Sequence, residues 1–142
     1  MDSIIIDSSA VISLGTVSDS NYAKAKEISS QIRPDERLVI LPGEIFTEII
    51  NVVGKKVGHD AANKQAEKLI SSKTWVIEET TSAIRKSTIK KFKKQPKSVS
   101  FTDCLVMAFA DEFATKLIFG FDETFRKNGY LRLGIDKEGL KL

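Results

Sequence analysis

The clearest pattern along the chain is a set of short apolar runs with little polar alternation. Ile4-Ile5-Ile6, Leu38-Val39-Ile40-Leu41, Thr74-Trp75-Val76-Ile77 and Lys116-Leu117-Ile118-Phe119-Gly120-Phe121 are such runs. Runs of this kind suit strands buried on both faces, as in parallel sheets. Between them, apolar residues recur at spacings of three and four, the signature of helices with one inward stripe. Tyr22, Ala25, Ile28 and Ile32 predict a helix after the cap candidates Asp19-Ser20-Asn21, ending at Pro34. Gly43 to Lys56 carries Ile45, Ile49, Val52 and Val53 on one face, with Pro42 at a start where proline is tolerated. Asp60 is a cap for a lightly packed helix from Ala61 to Ser71, leaving His59 in a loop. Thr80 to Lys94 reads as a helix with Ile84, Ile89 and Phe92 as its apolar points. Ser100 and Asp103 have capping-box spacing and open the most apolar helix, Cys104 to Ala110. Ala10 to Leu14 predicts a short helix or turn stopped by Gly15. Glu123 to Gly129 predicts a helical turn, and Tyr130 to Ile135 alternates as an edge strand does.

Strand–helix alternation of this kind implies an α/β fold: three layers, α/β/α, with a central mainly parallel sheet of four to five strands in a single domain over 1–142. The 42% hydrophobic and 29% charged fractions are those of a globular protein. Cys104 is the single cysteine, which rules out an internal disulfide and a cysteine metal cluster. No apolar stretch reaches the length of a membrane span, and Asp2 before a three-residue apolar run is unlike a secretory signal. A reducing cytoplasm is the setting these features suit.

The net charge of +3 matters less than its distribution. Arg85, Lys86, Lys90, Lys91, Lys93, Lys94 and Lys97 fall in one segment with no acid among them. Such a segment is either a solvated helix face or a patch that holds a polyanion.

The candidate chemistry is acidic. Two buried strands deliver carboxylates at their ends, Asp7 and Asp122. Glu48 and Asp103 lie in the first turns of two helices. In an open parallel sheet, strand ends and following helix starts share one edge, where ligands bind. Each acid also has a structural reading: Asp7 as a turn or cap, Asp103 as a capping-box member, Glu48 as a surface acid beside Lys55 or Asn51. Glu44, Glu48, Asn51 and Lys55 share a stripe within about 60° at helical spacing. Glu44, near a helix start, suits the helix dipole. Two carboxylates about 5 Å apart repel by roughly 3 kcal/mol at an effective dielectric near 20. A hard cation, Mg²⁺ or Mn²⁺, relieves that repulsion. Ions so held orient water and stabilise the leaving oxygen of a phosphodiester. Metal-dependent phosphodiester hydrolysis is the reaction these residues suit, with the basic segment (Arg85, Lys86, Lys90, Lys91, Lys93, Lys94) as an RNA-binding candidate.

Ile-Ile-Ile-Asp7-Ser8-Ser9, Pro42 followed by Glu48-Ile-Ile-Asn51, Thr102-Asp103-Cys104 and Phe121-Asp122-Glu123-Thr124-Phe125 stand in an order that resembles the PIN-domain ribonucleases. The resemblance is strongest to the small VapC-like toxins of toxin–antitoxin pairs, and it covers essentially the whole chain. It implies that Asp7, Glu48, Asp103 and Asp122 form a catalytic, metal-binding acidic quartet. It also implies that Ser9 and Thr102 are hydroxyls supporting that quartet. The implied reaction uses one or two Mg²⁺ or Mn²⁺ ions and an activated water. It cleaves RNA to a 3′-hydroxyl and a 5′-phosphate. The implied partners are a second copy of the chain and a small antitoxin whose segment lies in the acidic groove. One departure stands out: the family often has Ser or Thr two residues before the last acid, and here that residue is Gly120. Other readings are a non-catalytic PIN-like RNA-binding or assembly module, a housekeeping RNA-processing nuclease, and a receiver-like phosphotransfer domain. A receiver wants paired acids at its first strand end and a lysine after its last core strand. Asp7 stands alone, and Asp122 takes the lysine's place.

Overall fold

In the computed structural model, which describes residues 2–33 and 36–136, the fully apolar runs become the centre of one sheet. β1 (Ile4–Ile6), β2 (Val39–Pro42) and β4 (Leu117–Phe119) are buried along their whole length. β3 (Trp75–Glu78) and β5 (Leu131–Arg132) are the half-buried edges. The order is β3-β2-β1-β4-β5, with every neighbouring pair parallel. The receiver-like reading falls here, because that fold orders its strands 2-1-3-4-5. The alternating segment Tyr130 to Ile135 supplies an edge strand of only two residues.

The connections are helical. α1 (Ser8–Gly15) and α2 (Tyr22–Gln31) join β1 to β2, and α3 (Gly43–Lys56) and α4 (His59–Ser71) join β2 to β3. α5 (Ser82–Phe92) and α6 (Phe101–Glu112) carry the chain back across the sheet to β4, and α7 (Glu123–Lys127) leads to β5. Parallel crossovers are right-handed. The two crossovers that step toward β3 therefore lie on one face, and those that step toward β5 lie on the other. The contacts agree, with α1 packed on α2 and α3, α3 on α4, and α6 on α5, α7, β1 and β4. The result is the three-layer α/β/α arrangement.

Local boundaries depart from expectation where caps compete. α4 begins at His59 rather than Ala61, because Gly58, at φ 136°, makes the turn itself. His59 is exposed there. Asn21 makes no side-chain cap. Instead Asp19 Oδ1 accepts the Asn21 N–H at 2.8 Å and the Ser13 hydroxyl at 3.0 Å, fastening the α1–α2 turn. α5 starts at Ser82, since Thr81 is its cap, accepting the Ile84 N–H. Pro34 lies outside the described residues.

Burial follows the pattern. The core runs from Ile4, Ile5 and Ile6 through Ile40, Leu41, Ile45 and Ile49 to the seven consecutive buried residues Cys104 to Ala110 of α6. Phe109, Phe119 and Phe125 are its largest fully buried side chains. Thr115 Oγ1 donates to the Ser3 carbonyl at 2.6 Å, pinning the start of β4 beside the start of β1.

Candidate active site

The strand order reverses direction between β1 and β4. Chain leaving β1 turns to one face of the sheet and chain leaving β4 turns to the other, so a crevice opens over their carboxyl ends. Asp7 sits at its floor. It is the cap residue of α1, with extended backbone, and its N–H donates to the Phe119 carbonyl at 2.9 Å, continuing the β1–β4 ladder. Its Oδ2 accepts the Ser9 hydroxyl at 2.7 Å and, more weakly, the Ser9 N–H at 3.4 Å. The residue is 5% exposed. Burial pushes its carboxyl up to about 6, the Ser9 bonds pull it back in part, and the charge of Asp103 adds to the rise. The capping reading and the chemical reading of Asp7 are therefore compatible: it caps α1 and is also a desolvated carboxylate.

Glu48 comes from α3, in the same helical layer as α1. It lies in the second turn of α3, not the first, and is half-buried. Burial raises its carboxyl, a hydrogen bond from Ser8 lowers it, and Asp103 raises it again. The Ser8 hydroxyl reaches Glu48 Oε1 at 3.5 Å, a long contact that nonetheless links α1 to α3. Ser8 is the residue the sequence reading left without a role. Its signal was its place directly after Asp7, on the helix that packs against α3.

Asp103 comes from the other helical layer, in the first turn of α6. It is half-buried and belongs to a reciprocal capping box: its N–H donates to Ser100 Oγ, and its Oδ2 accepts the Ser100 N–H, both at 3.1 Å. The box fixes the carboxylate's position, while its charge reaches both Asp7 and Glu48. Thr102, half-buried beside it, makes no side-chain hydrogen bond among the described residues.

Asp122 is placed differently. It follows β4, is exposed, and caps α7 through Oδ1, which accepts the Thr124 N–H at 2.9 Å. Gly120, two residues before it, lies against Asp7. A Cβ at Gly120 would lie 3.0 Å from Asp7 Cβ and 3.0 Å from Phe125 Cε2. A methyl there would need the Asp7 side chain or the Phe125 ring to give by a few tenths of an ångström.

The acids compare well with a hard cation in donor chemistry, since every group is a carboxylate or hydroxyl oxygen. Among the described residues no three acid, His or Cys side chains close around one point. Such a set suits an ion that keeps several of its own waters, as Mg²⁺ does when one or two carboxylates hold it.

The basic residues divide. Arg85 is tied to Glu44 at 3.1 Å, an exposed pair joining α5 to α3. Lys91 is half-buried and pairs with Asp111, whose Oδ1 also accepts the Tyr130 hydroxyl at 2.7 Å. Lys86, Lys90, Lys93 and Lys94 are exposed. A cavity of about 600 Å³ lies elsewhere, between α1, α2, α4 and the start of β3. Leu14, Lys26, Leu69 and Trp75 help to line it, and no acid does. It lies away from the acidic crevice, so volume alone does not mark the candidate active site.

Comparison with known proteins bears on what this crevice is. No curated protein matches the chain. Among solved structures, VapC20 of Mycobacterium tuberculosis, described as a sarcin-ricin loop cleaving toxin, superimposes with a TM-score of 0.82 at 21% identity. That match covers 92% of this chain and 98% of the other. FitAcB of Neisseria gonorrhoeae superimposes with a TM-score of 0.56 at 15% identity, covering 78% and 82%. At these identities the likeness is one of fold. The PIN domain family matches residues 4–129, from β1 to the turn before β5. The chain belongs to the PIN-domain family and has the VapC-like form of that fold.

Proposed function

We propose that this protein is a metal-dependent endoribonuclease, acting as the toxin of a toxin–antitoxin pair. The observation that carries the proposal is the buried carboxylate of Asp7 at the switch point of a PIN-family sheet, within reach of the charge of Asp103, which also acts on Glu48. Asp7 is 5% exposed and, among the described residues, forms no ion pair, so the cap role and the Ser9 bonds are all that offset the burial of its charge. Burying charge without compensation costs stability, and sites that accept this cost are enriched in function.

Asp7, Glu48 and Asp103 would hold Mg²⁺ or Mn²⁺, with Asp122 at the outer rim. When bound, such an ion lowers the pKa of water and stabilises the leaving oxygen of a phosphodiester. The chain's own residues set the geometry. Ser9 fixes the Asp7 carboxylate, Ser8 steadies Glu48, and the Ser100 box holds Asp103. Lys86, Lys90, Lys93 and Lys94 attract the RNA backbone. VapC20, described as a sarcin-ricin loop cleaving toxin, supports an RNA substrate; a small antitoxin lying in the acidic groove belongs to the same reading. A homodimer completes the reading.

The test is cleavage of mixed cellular RNA with Mn²⁺ or Mg²⁺, by wild type, by Asp7→Asn, and by wild type with EDTA. The expected result is cleavage by wild type alone, with 5′-phosphate ends. Cutting that persists in EDTA sinks the metal role, and cutting by Asp7→Asn sinks the assignment of the site.

A further inference from the structure

α5 buries only Ile84 and Thr88, and the buried stretch of α6 begins at Cys104. Phe92, the last residue of α5, and Phe101, the first of α6, are left outside the core. They are 43% and 38% exposed, and their rings meet edge to face, with centroids 5.3 Å apart and planes at 76°. Ile89, one turn before Phe92, is 43% exposed as well. Phe92, Phe101 and Ile89 are thus three large apolar side chains left partly in water at one helix junction.

The surroundings point to the kind of ligand. Lys90, Lys93, Lys94 and Lys97, in the same segment as Phe92, are all exposed, and no acid occurs between Arg85 and Lys97. Lysine is depleted where proteins bury apolar surface against each other. A cationic surface with exposed aromatic rings is instead how proteins hold single-stranded nucleic acid: charge follows the backbone and rings stack on bases. The loop from α5 to α6 is also fastened. Gln95 and Asn128 exchange side-chain hydrogen bonds at 2.8 and 3.3 Å, joining it to the end of α7. Phe101 and Asp103 share the first turn of α6, with Cα atoms about 5 Å apart by helix geometry. Asp103 influences Asp7 and Glu48 on one side of that turn, while Phe101 meets Phe92 on another.

We infer that Phe92 and Phe101 form a stacking platform for an unpaired base of the RNA strand whose backbone lies over the acids. This rests on the nuclease reading and adds to it a pair of residues that hold a base: the platform takes an unpaired base, since a base inside a duplex offers no free face.

The test is fluorescence anisotropy in EDTA, with the full chain and a labelled single-stranded RNA 12-mer or its duplex. A second 12-mer carries 2-aminopurine. Wild type binds the single strand more tightly than the duplex, and the 2-aminopurine signal is quenched. Phe92→Ala and Phe101→Ala each weaken single-strand binding by at least about fivefold. Phe101→Trp restores binding and quenching, and Phe101→Leu, apolar but unable to stack, restores neither. The salt slope of binding stays unchanged in the Phe variants and falls in a Lys93→Gln, Lys94→Gln double variant. Should an alanine variant fail to fold, the Trp and Leu variants keep the comparison, because they preserve bulk. Unchanged affinity in the folded alanine variants overturns the inference, and so does full rescue by Leu. A dimer-to-monomer change with unchanged RNA binding also overturns it and assigns the patch to a second copy. Loss of protein-partner binding with RNA binding intact overturns it in favour of that partner. If wild type cuts RNA and the Phe variants bind normally, only the platform falls. If wild type neither binds nor cuts RNA, the nuclease reading falls first.

Discussion

The ends of β1 and β4 carry the same local device with opposite outcomes. Each strand is a three-residue buried run, and a short way beyond each stands an aspartate that caps the next helix and accepts the N–H two residues on. Asp7 and Ser9 form one copy, Asp122 and Thr124 the other. Asp7 is 5% exposed, whereas Asp122 is exposed. The difference comes from what covers each end. β1 is central, α6 packs on it, and α1, which follows it, packs against α3. β4 adjoins the short edge β5, and its aspartate opens onto a five-residue helix. A local motif thus sets the hydrogen bonds, while the neighbours decide whether the carboxylate is a cap alone or a desolvated acid.

The largest expected effect separates the two acids by reaction. Asp7→Asn lowers single-turnover RNA cleavage by at least about 100-fold, with Asp103→Asn and Glu48→Gln next. Asp122→Asn falls least, because its carboxylate is already in water. An Asp122 effect as large as that of Asp7 would break the comparison.

The second effect is on stability and has a definite sign. A carboxyl raised from 3.8 to about 6 binds more proton in the folded state than in the unfolded chain across that interval. Stability therefore falls as pH rises from about 4 to 6, and stays lower above. The Asp7 contribution to that loss is on the order of 2–3 kcal/mol at pH 8. Asp7→Asn removes it, so the variant should melt higher than wild type at pH 8 and lose that advantage by pH 4. Melting curves in EDTA at both pH values check this. Equal shifts at both would show that the effect is not the carboxylate's ionisation.

Gly120→Ala comes third. Its methyl would press on Asp7 and Phe125, and urea unfolding should register a loss of about 1–3 kcal/mol, the usual cost of overpacking. A neutral result would mean that the crevice floor yields. The smallest effect is the cap at Asp122. Asp122→Ala should cost about 1 kcal/mol by the same unfolding measurement, and Asp122→Asn almost nothing, since Asn caps as well as Asp.

Much of the fold was legible because fully buried strands admit few residues. Ile4-Ile5-Ile6 and Leu117-Ile118-Phe119 have no amphipathic reading, so their assignment as strands followed directly. Reading failed where weak local signals compete. Gly58 outweighed Asp60 at the start of α4, and the alternation of Tyr130 to Ile135 yielded two paired residues at an edge that needs no more. At the candidate site, the acids were visible as residue types after strands and at helix starts. Their partners were less so. Ser8 and Glu48 are 40 positions apart, and Arg85 meets Glu44 across 41. No periodicity encodes such pairs, which exist only once α1, α3 and α5 are packed.

By itself, then, the order of apolar and polar residues determined the alternation of strands and helices, the burial of the central strands, and the placing of aspartates at strand ends. These depend on neighbours within a few residues, through side-chain period and capping. Only the tertiary structure decided that β1 and β4 lie side by side with their outgoing chains on opposite faces, that Asp103 acts on both Asp7 and Glu48, and that Gly120 packs against Asp7 and Phe125. Those outcomes depend on which helices roof the crevice, because desolvation and charge act through space rather than along the chain.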